Sequence, residues 1–127
     1  ICTNQGLFAT LATAYITLLG REGLAEVAET SLARTQQLVK GLVEIGGCRL
    51  FDAETPHFHE AAVVLPIPAK DFLKRMKEEH GILAGFALEK WFPKMEGAEK
   101  MILVNCTEVN SSADVRGCLE AAREVLS

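Results

Sequence analysis

The stretch that most constrains the fold is residues 81–108, in which two apolar runs flank a polar turn. Residues 82–88 and 101–106 are apolar almost throughout, and a proline, a glycine and several charges lie between them. Runs that are apolar on both faces are typical of strands covered on both sides or lying at a domain interface. The pattern predicts an antiparallel pair at the centre of a small sheet, against which the flanking helices bury their apolar faces.

Two helices are predicted before this pair, over residues 5–19 and 22–45. The first is apolar on two adjacent faces, so we expect more than one neighbour to bury it. The second carries an apolar stripe with i, i+3, i+4 spacing and ends at a Gly-Gly pair. Because the link around Gly20 is very short, the two helices form either an antiparallel pair or one long bent rod.

The remaining elements follow from shorter signals. We expect strands over residues 48–51 and 58–65, a helix over residues 69–80, and a last helix that begins at the capping sequence Ser111–Asp114. Strands that are not separated by regular crossover helices favour an antiparallel α+β layer over a doubly wound sheet. We predict a single domain over residues 1–127, with a helical lead-in (1–46) and a part made of sheet and helices (47–127).

Composition limits the possible functions. The chain has 127 residues, of which 49% are hydrophobic, and a net charge of −4. The acidic balance argues against nucleic acid as the main partner, and no segment is long and apolar enough to span a bilayer. Four cysteines without metal-type spacing indicate a reduced intracellular protein with buried thiols. Because the chain begins with Ile1 inside an apparent motif, we expect it to be a piece of a longer protein.

Few residues have the type and spacing that a chemical role requires. His57 and His59 share a strand face and could bind a metal with Glu60 or Cys48, but the spacing fixes no third ligand. Cys2 precedes a helix, where amide dipoles can activate a thiol, but no motif places a base beside it. No lysine lies in a sequence context that would place it in a cleft as the Schiff-base residue of a cofactor. The residues alone therefore predict a binding or scaffold domain with no catalytic, cofactor-binding or metal-binding residue.

Three stretches resemble a known family. They are ICTNQGLFATLATAYITLLGREGLAEVA at residues 1–28, GILAGFALEKWFP at 81–93 and ILVNCTE at 102–108. They are similar to the last domain of glycine dehydrogenase (decarboxylating), the P-protein of the glycine cleavage system, and most of all to subunit 1 of its two-chain form. FHEAAVVLP at residues 58–66 is similar to a looser version of a strand of that family.

The resemblance implies a fold and a system. The fold would be the C-terminal small domain of a fold-type-I pyridoxal-phosphate enzyme, an α+β domain whose small antiparallel sheet has helices packed on one face. The family oxidatively decarboxylates glycine and passes the aminomethyl group to a lipoyl carrier protein. Pyridoxal phosphate would lie on a second, cofactor-bearing subunit, and the enzyme would be cytoplasmic. The fragment alone would be inactive. Because the apolar first helix would have lost part of its cover in the fragment, we also expect the fragment to self-associate.

The resemblance also points to a possible cleft or subunit-interface segment, namely Cys2, Thr3, Asn4 and Gln5. A helix cap formed by Thr3 and Asn4 explains the same residues equally well. Residues 101–108 contain Asn105 and no arginine, so no substrate-binding residue is assigned. Two rival functions stay open: a free-standing ligand-binding or regulatory module, and the small domain of another pyridoxal-phosphate enzyme such as an aminotransferase.

Overall fold

The computed structural model describes residues 5–127 and shows an α+β fold. Helices pack on one face of a four-stranded antiparallel sheet, as the resemblance implied. The elements in chain order are α1 (Gln5–Val43), β1 (Arg49–Leu50), β2 (Glu60–Val64), α2 (Ala69–His80), β3 (Phe86–Ala87), β4 (Met101–Asn105) and α3 (Ser112–Leu126). Two short 3-10 helices, Leu88–Lys90 and Ala98–Lys100, lie between β3 and β4.

The centre of the sheet is the pair β2–β4, because the strand order is β1-β2-β4-β3. Val63 lies opposite Ile102, and Ala61 lies opposite Val104. Side chains alternate between the faces of a strand, so these four point to one side, where all are buried in the core against the helices. The other side carries Ala62, which is only half-buried.

The predicted pairing of residues 82–88 with residues 101–106 is correct in direction but wrong in extent and position. Only Phe86 and Ala87 pair with β4, and β3 is an edge strand. Gly85 precedes it with φ 134°, and a 3-10 helix begins at Leu88 directly after it. The chain is therefore bent at both ends of β3, and residues 82–85 lie outside the ladder.

Helix α1 is one long helix bent at Gly20, so the bent-rod alternative is correct. Gly20 has φ 63° and ψ −171°, a conformation that glycine adopts without a Cβ penalty. The half after the bend packs on the domain, with Leu38 and Leu42 in the core. At Gly41 a Cβ would overlap the side chain of Leu119, so α1 and α3 approach each other closely there.

The two shorter helices agree closely with their sequence signals. Helix α2 has the predicted bounds and buries Phe72 and Met76. It ends at Gly81, which is left-handed (φ 70°) and donates its N–H to the Lys77 carbonyl at 3.0 Å. In residues 5–127, no helix is both long enough and apolar enough to cross a membrane.

Helix α3 begins with the predicted capping box. The Asp114 amide donates to the Ser111 Oγ at 3.1 Å, and the Ser111 amide donates to the Asp114 carboxylate at 2.8 Å. The hydrogen bonds from the Ser111 side chain and amide hold the pKa of Asp114 below its usual value. The carboxylate is therefore committed to the helix terminus.

Candidate functional site

A cavity of about 420 Å³ lies between β4, the start of α3 and residues 82–85. It exists because residues 82–85 leave the ladder, so Val104 and Asn105 have no strand partner on that side. Its walls are mainly apolar and include Ile82 and Val115. Ligand sites of this size combine apolar walls with a few convergent polar groups, so the polar groups decide what the cavity can do.

The polar groups of this cavity are largely engaged in local structure. The Asn110 Oδ1 accepts the Thr107 N–H at 2.9 Å, and the Asn110 carbonyl accepts the Arg34 Nε–H at 3.3 Å. Asp114 is held by the capping box. A carboxyl can act as a general acid or base only if its proton is free to transfer. The side chains of Asn110 and Asp114 are therefore committed to local structure, whereas Asn105, which also lines the cavity, is exposed.

The three cysteines within residues 5–127 are buried or partly buried thiols. Cys106 and Cys118 line the cavity, and Cys48 lies in the core. Burial raises the pKa of Cys48 and Cys106, and burial together with the nearby Cys106 raises the pKa of Cys118 to about 11. Thiolates are the reactive form of cysteine, so these thiols stay protonated at neutral pH. They fill the core, as their apolar positions in the sequence indicate.

The histidines are not brought together with further ligands. In residues 5–127 no cluster of three or more His, Cys, Asp or Glu residues could hold a metal ion. The Nε2 of His57 and the Nδ1 of His59 are buried and have no hydrogen-bond partner. The Phe58 ring packs edge-on against the His59 ring, with the two ring centroids 4.6 Å apart. His80 ends α2, and its Nε2 lies 3.8 Å from the Glu124 carboxylate.

The lysines do not fit a pyridoxal-phosphate seat. All seven are exposed on helices or on the segment between β3 and β4: Lys40, Lys70, Lys74, Lys77, Lys90, Lys94 and Lys100. A lysine that forms a Schiff base is normally desolvated or placed beside another cation, so that its pKa falls. None of the seven lysines has that setting within residues 5–127.

The N-terminal half of α1, residues 5–19, is the most unusual surface of the molecule. It contains no charged residue, yet Leu7, Phe8 and Leu11 are each more than half exposed. Its three threonines donate their hydroxyls to carbonyls four residues earlier, at 2.7 to 2.9 Å. These hydroxyls are thus satisfied within the helix, and the surface is apolar around nearly its whole girth.

Of the predicted cleft or interface segment, only Gln5 lies in the described residues, where it is exposed at the first position of α1. Cys2, Thr3 and Asn4 lie outside the described residues. The pattern predicted that the adjoining apolar half of α1 is buried by more than one neighbour, but in the described residues its large apolar side chains are mostly exposed. Sequence reasoning missed two features. Thr35 counted only as one member of the apolar stripe of the predicted helix 22–45, although its hydroxyl bonds to the sheet. The face of the sheet opposite the helices was not considered.

Comparison with known proteins decides the family. The model of the family described as glycine cleavage system P-protein matches residues 1–121. The chain belongs to this P-protein family. It is 41% identical over all its 127 residues to the probable glycine dehydrogenase (decarboxylating) subunit 1 of Nitrosomonas europaea, and spans 27% of that relative. The chain thus spans about a quarter of the length of the curated relatives it matches.

Solved structures confirm the fold of this P-protein family member. A crystal structure of glycine decarboxylase (P-protein) of the glycine cleavage system, in inhibitor-bound form, matches with a TM-score of 0.82 and 32% identity. That match covers 99% of this chain and 27% of the other. An alanine–glyoxylate aminotransferase from Nostoc sp. matches with a TM-score of 0.68 and 21% identity, over 90% of this chain and 29% of its own. The second likeness shows the fold alone.

We expect the isolated chain to associate through residues 5–19 as its concentration rises, because exposed apolar patches of this size are covered by other molecules. Leu11→Glu combined with Ile16→Glu would place two negative charges in this surface and raise the dissociation constant at least tenfold, which corresponds to about 1.4 kcal/mol. Light scattering from micromolar to millimolar concentration measures this. Thr13→Glu is the control on the threonine side, where we expect a smaller effect. A clean monomer at every concentration would contradict the prediction.

Proposed function

We propose that this chain is the small domain of subunit 1 of a glycine dehydrogenase (decarboxylating), within a longer parent polypeptide. The whole enzyme would decarboxylate glycine and transfer the aminomethyl group to a lipoyl carrier protein. The observation that carries the proposal is the identity of 41% over the full chain to a relative named as this subunit. Supporting it, the apolar half of α1 needs a surrounding surface larger than the chain itself presents.

We further propose that pyridoxal phosphate is held by a partner subunit. The exposure of all seven lysines supports this, since none has the desolvated setting of a Schiff-base lysine. The engagement of the cavity's polar groups supports a structural role for this domain beside a cleft formed elsewhere. On this proposal residues 1–46 join the small domain to the rest of the parent, and the segment Cys2–Gln5 lies near the cleft or the interface between subunits. We place the enzyme in the cytoplasm.

The test is glycine–bicarbonate exchange by the parent polypeptide, mixed with the second subunit and a lipoyl carrier protein. We expect exchange with the complete parent and none with residues 1–127 alone. Deletion of residues 1–127 should abolish exchange, but it could also unfold the parent. A second set of variants therefore replaces each lysine of the chain singly by arginine.

If the cofactor lies on the partner, each Lys→Arg variant keeps both exchange and the cofactor's visible absorbance. Loss of that absorbance in any one of them would overturn the placement of pyridoxal phosphate. Turnover by the isolated chain would overturn the assignment of chemistry to another subunit. Absence of exchange from the complete mixture, with every component shown to be folded, would overturn the proposed enzyme itself.

A further inference from the structure

One arginine beside the 420 Å³ cavity forms no ion pair with a carboxylate of residues 5–127. Arg34 is half-buried on α1, and its Nε–H donates to the Asn110 carbonyl at 3.3 Å. Within the same residues its two Nη groups donate no hydrogen bond. The Nη edge of a guanidinium can bind a carboxylate through two parallel hydrogen bonds. This edge of Arg34 is therefore available to an anionic group of a ligand.

Two observations place the Arg34 guanidinium at the cavity. Asn110, whose carbonyl holds it, lines the cavity, and so does Leu38, which lies one helical turn after Arg34 on α1. The Cys106 thiol, which also lines the cavity, responds to this charge. Burial raises the pKa of Cys106, and Arg34 acts on that pKa in the opposite direction. The cavity therefore has a positive charge at its rim, beside Asn110.

A negative charge faces the same cavity. Asp114 is the only charged residue among those that line it, all of which belong to residues 5–127. Both hydrogen bonds from Ser111 reach the Oδ2 of Asp114, so its Oδ1 can still accept a hydrogen bond from a ligand. These bonds lower the pKa of Asp114, so the carboxylate is ionised at neutral pH. The cavity therefore combines a carboxylate in its wall with a guanidinium at its rim.

The rest of the cavity wall is mainly apolar. Leu38 of α1, Val104 of β4 and Val115 of α3 line it, and each belongs to the buried core. Asn105 adds an exposed carboxamide at the end of β4, which can both donate and accept hydrogen bonds. A volume of about 420 Å³ lies within the range of small-molecule sites. The cavity therefore suits a small ligand that has an apolar part.

The two charges decide which small ligand suits the cavity. A simple carboxylate would be attracted by Arg34 and repelled by Asp114, and a simple amine would meet the reverse. A zwitterion with an apolar side chain pairs with both charges and covers the apolar wall. We propose that the cavity binds an α-amino acid with an apolar side chain, whose carboxylate is held by Arg34 and whose ammonium group faces Asp114. This binding site is separate from the enzyme reaction proposed above and does not depend on it.

Saturation-transfer NMR on the complete parent polypeptide, without its second subunit, tests the proposal with L-leucine as the probe. We expect saturable binding with a dissociation constant of about 1 mM or below. Two analogues test the charges: 4-methylpentanoate lacks the ammonium group and 3-methylbutylamine lacks the carboxylate. Each should bind at least about tenfold more weakly than L-leucine, because each leaves one charge of the site unpaired. Glycine should also bind at least about tenfold more weakly, because it lacks the apolar side chain.

Variants of the parent locate the binding. Arg34→Gln should raise the dissociation constant of L-leucine at least about tenfold. Arg116→Gln is the matched control, since Arg116 is exposed on α3 and does not line the cavity, and it should leave binding unchanged. Gly117→Leu should abolish binding by filling the cavity, because Gly117 lines it and has open space at its Cβ position. The melting temperature of each variant, followed by circular dichroism, shows that it is folded.

Three outcomes would overturn the proposal. One is the absence of saturable L-leucine binding by the folded parent up to about 10 mM, a concentration that would fill most of a site of the expected affinity. The second is unchanged binding in folded Arg34→Gln or Gly117→Leu, which would place the ligand elsewhere. The third is equal affinity for L-leucine and 4-methylpentanoate, which would exclude a role for the ammonium group. Glycine–bicarbonate exchange is a separate measurement, so the proposed enzyme and this site stand or fall independently.

Discussion

Gly85→Ala is expected to lower the free energy of unfolding of the isolated chain by about 3 kcal/mol or more. A Cβ on Gly85 would lie 2.6 Å from the Leu103 carbonyl oxygen, and real Cβ atoms do not approach backbone oxygen so closely. The φ of 134° adds strain, because side chains other than glycine's hydrogen disfavour that region. The change in the midpoint of urea denaturation, at an unchanged slope, measures the loss.

Two glycines separate these contributions. Gly81 also has positive φ (70°) but open space around its Cβ position, so Gly81→Ala should lose only about 1–2 kcal/mol through the backbone. Gly117 lies within α3 with open space and an ordinary φ, and Gly117→Ala should gain up to about 1 kcal/mol. If Gly85→Ala were no worse than Gly81→Ala, Gly85 would not lie against the Leu103 carbonyl as described.

The position of Gly85 also bounds two cavities. Gly85 lines both the 420 Å³ cavity and a second one of about 300 Å³ on the side of Glu60 and Phe86. Gly85 lies against the Leu103 carbonyl, and residues 82–84 before it are directed away from the β4 edge. A side chain at this position would therefore change the space on both sides of the strand.

The helices of this chain could be predicted well and the strands less well, for a physical reason. Helix α2 has a local apolar stripe, a glycine that ends it and matching bounds, all within 13 residues of sequence. Strand β3 has no such local signal, because its length depends on how closely Gly85 can approach a strand about 18 residues later. Apolar residues 82–85 look like a strand in sequence, yet in the fold they line a cavity.

The candidate surfaces also differ in whether local sequence or contacts between distant residues form them. The sequence of residues 5–19 predicts a helix that is apolar on most of its surface. The structure leaves most of these apolar side chains exposed. The apolar row on the second face of the sheet could not be predicted, since Phe51, Ala62 and Leu103 meet only through the register of three strands. The predicted assignment at Cys2, Thr3 and Asn4 stays a prediction, because these residues lie outside the described part of the chain.

Thr35 is the polar residue on which the packing of α1 against the sheet depends. It is fully buried, and its hydroxyl lies 3.1 Å from the His59 carbonyl and 3.3 Å from the Cys106 carbonyl. The same oxygen accepts the Cys106 N–H at 3.1 Å. One hydroxyl therefore joins the helix to the start of β2 and to the end of β4, where the strand ladder supplies no further partner.

Thr35→Val is expected to lower the free energy of unfolding by about 2–4 kcal/mol, although valine has nearly the same shape. The substitution leaves the buried Cys106 N–H without its acceptor and removes the donor to the two carbonyls. Each buried polar group without a partner costs about 1–3 kcal/mol. Urea denaturation followed by far-ultraviolet circular dichroism measures the loss, at a concentration where the chain is monomeric.

The matched control is Thr13→Val, the same substitution on the same helix. Thr13 is exposed and bonds only to the Ala9 carbonyl, so we expect a change within about 0.5 kcal/mol. Thr35→Ser keeps the hydroxyl and loses one buried methyl group, which costs about 1 kcal/mol. A hydroxyl that joins helix and sheet requires serine to be much better tolerated than valine at this position. The opposite order would mean that Thr35 stabilises the domain through its methyl group alone.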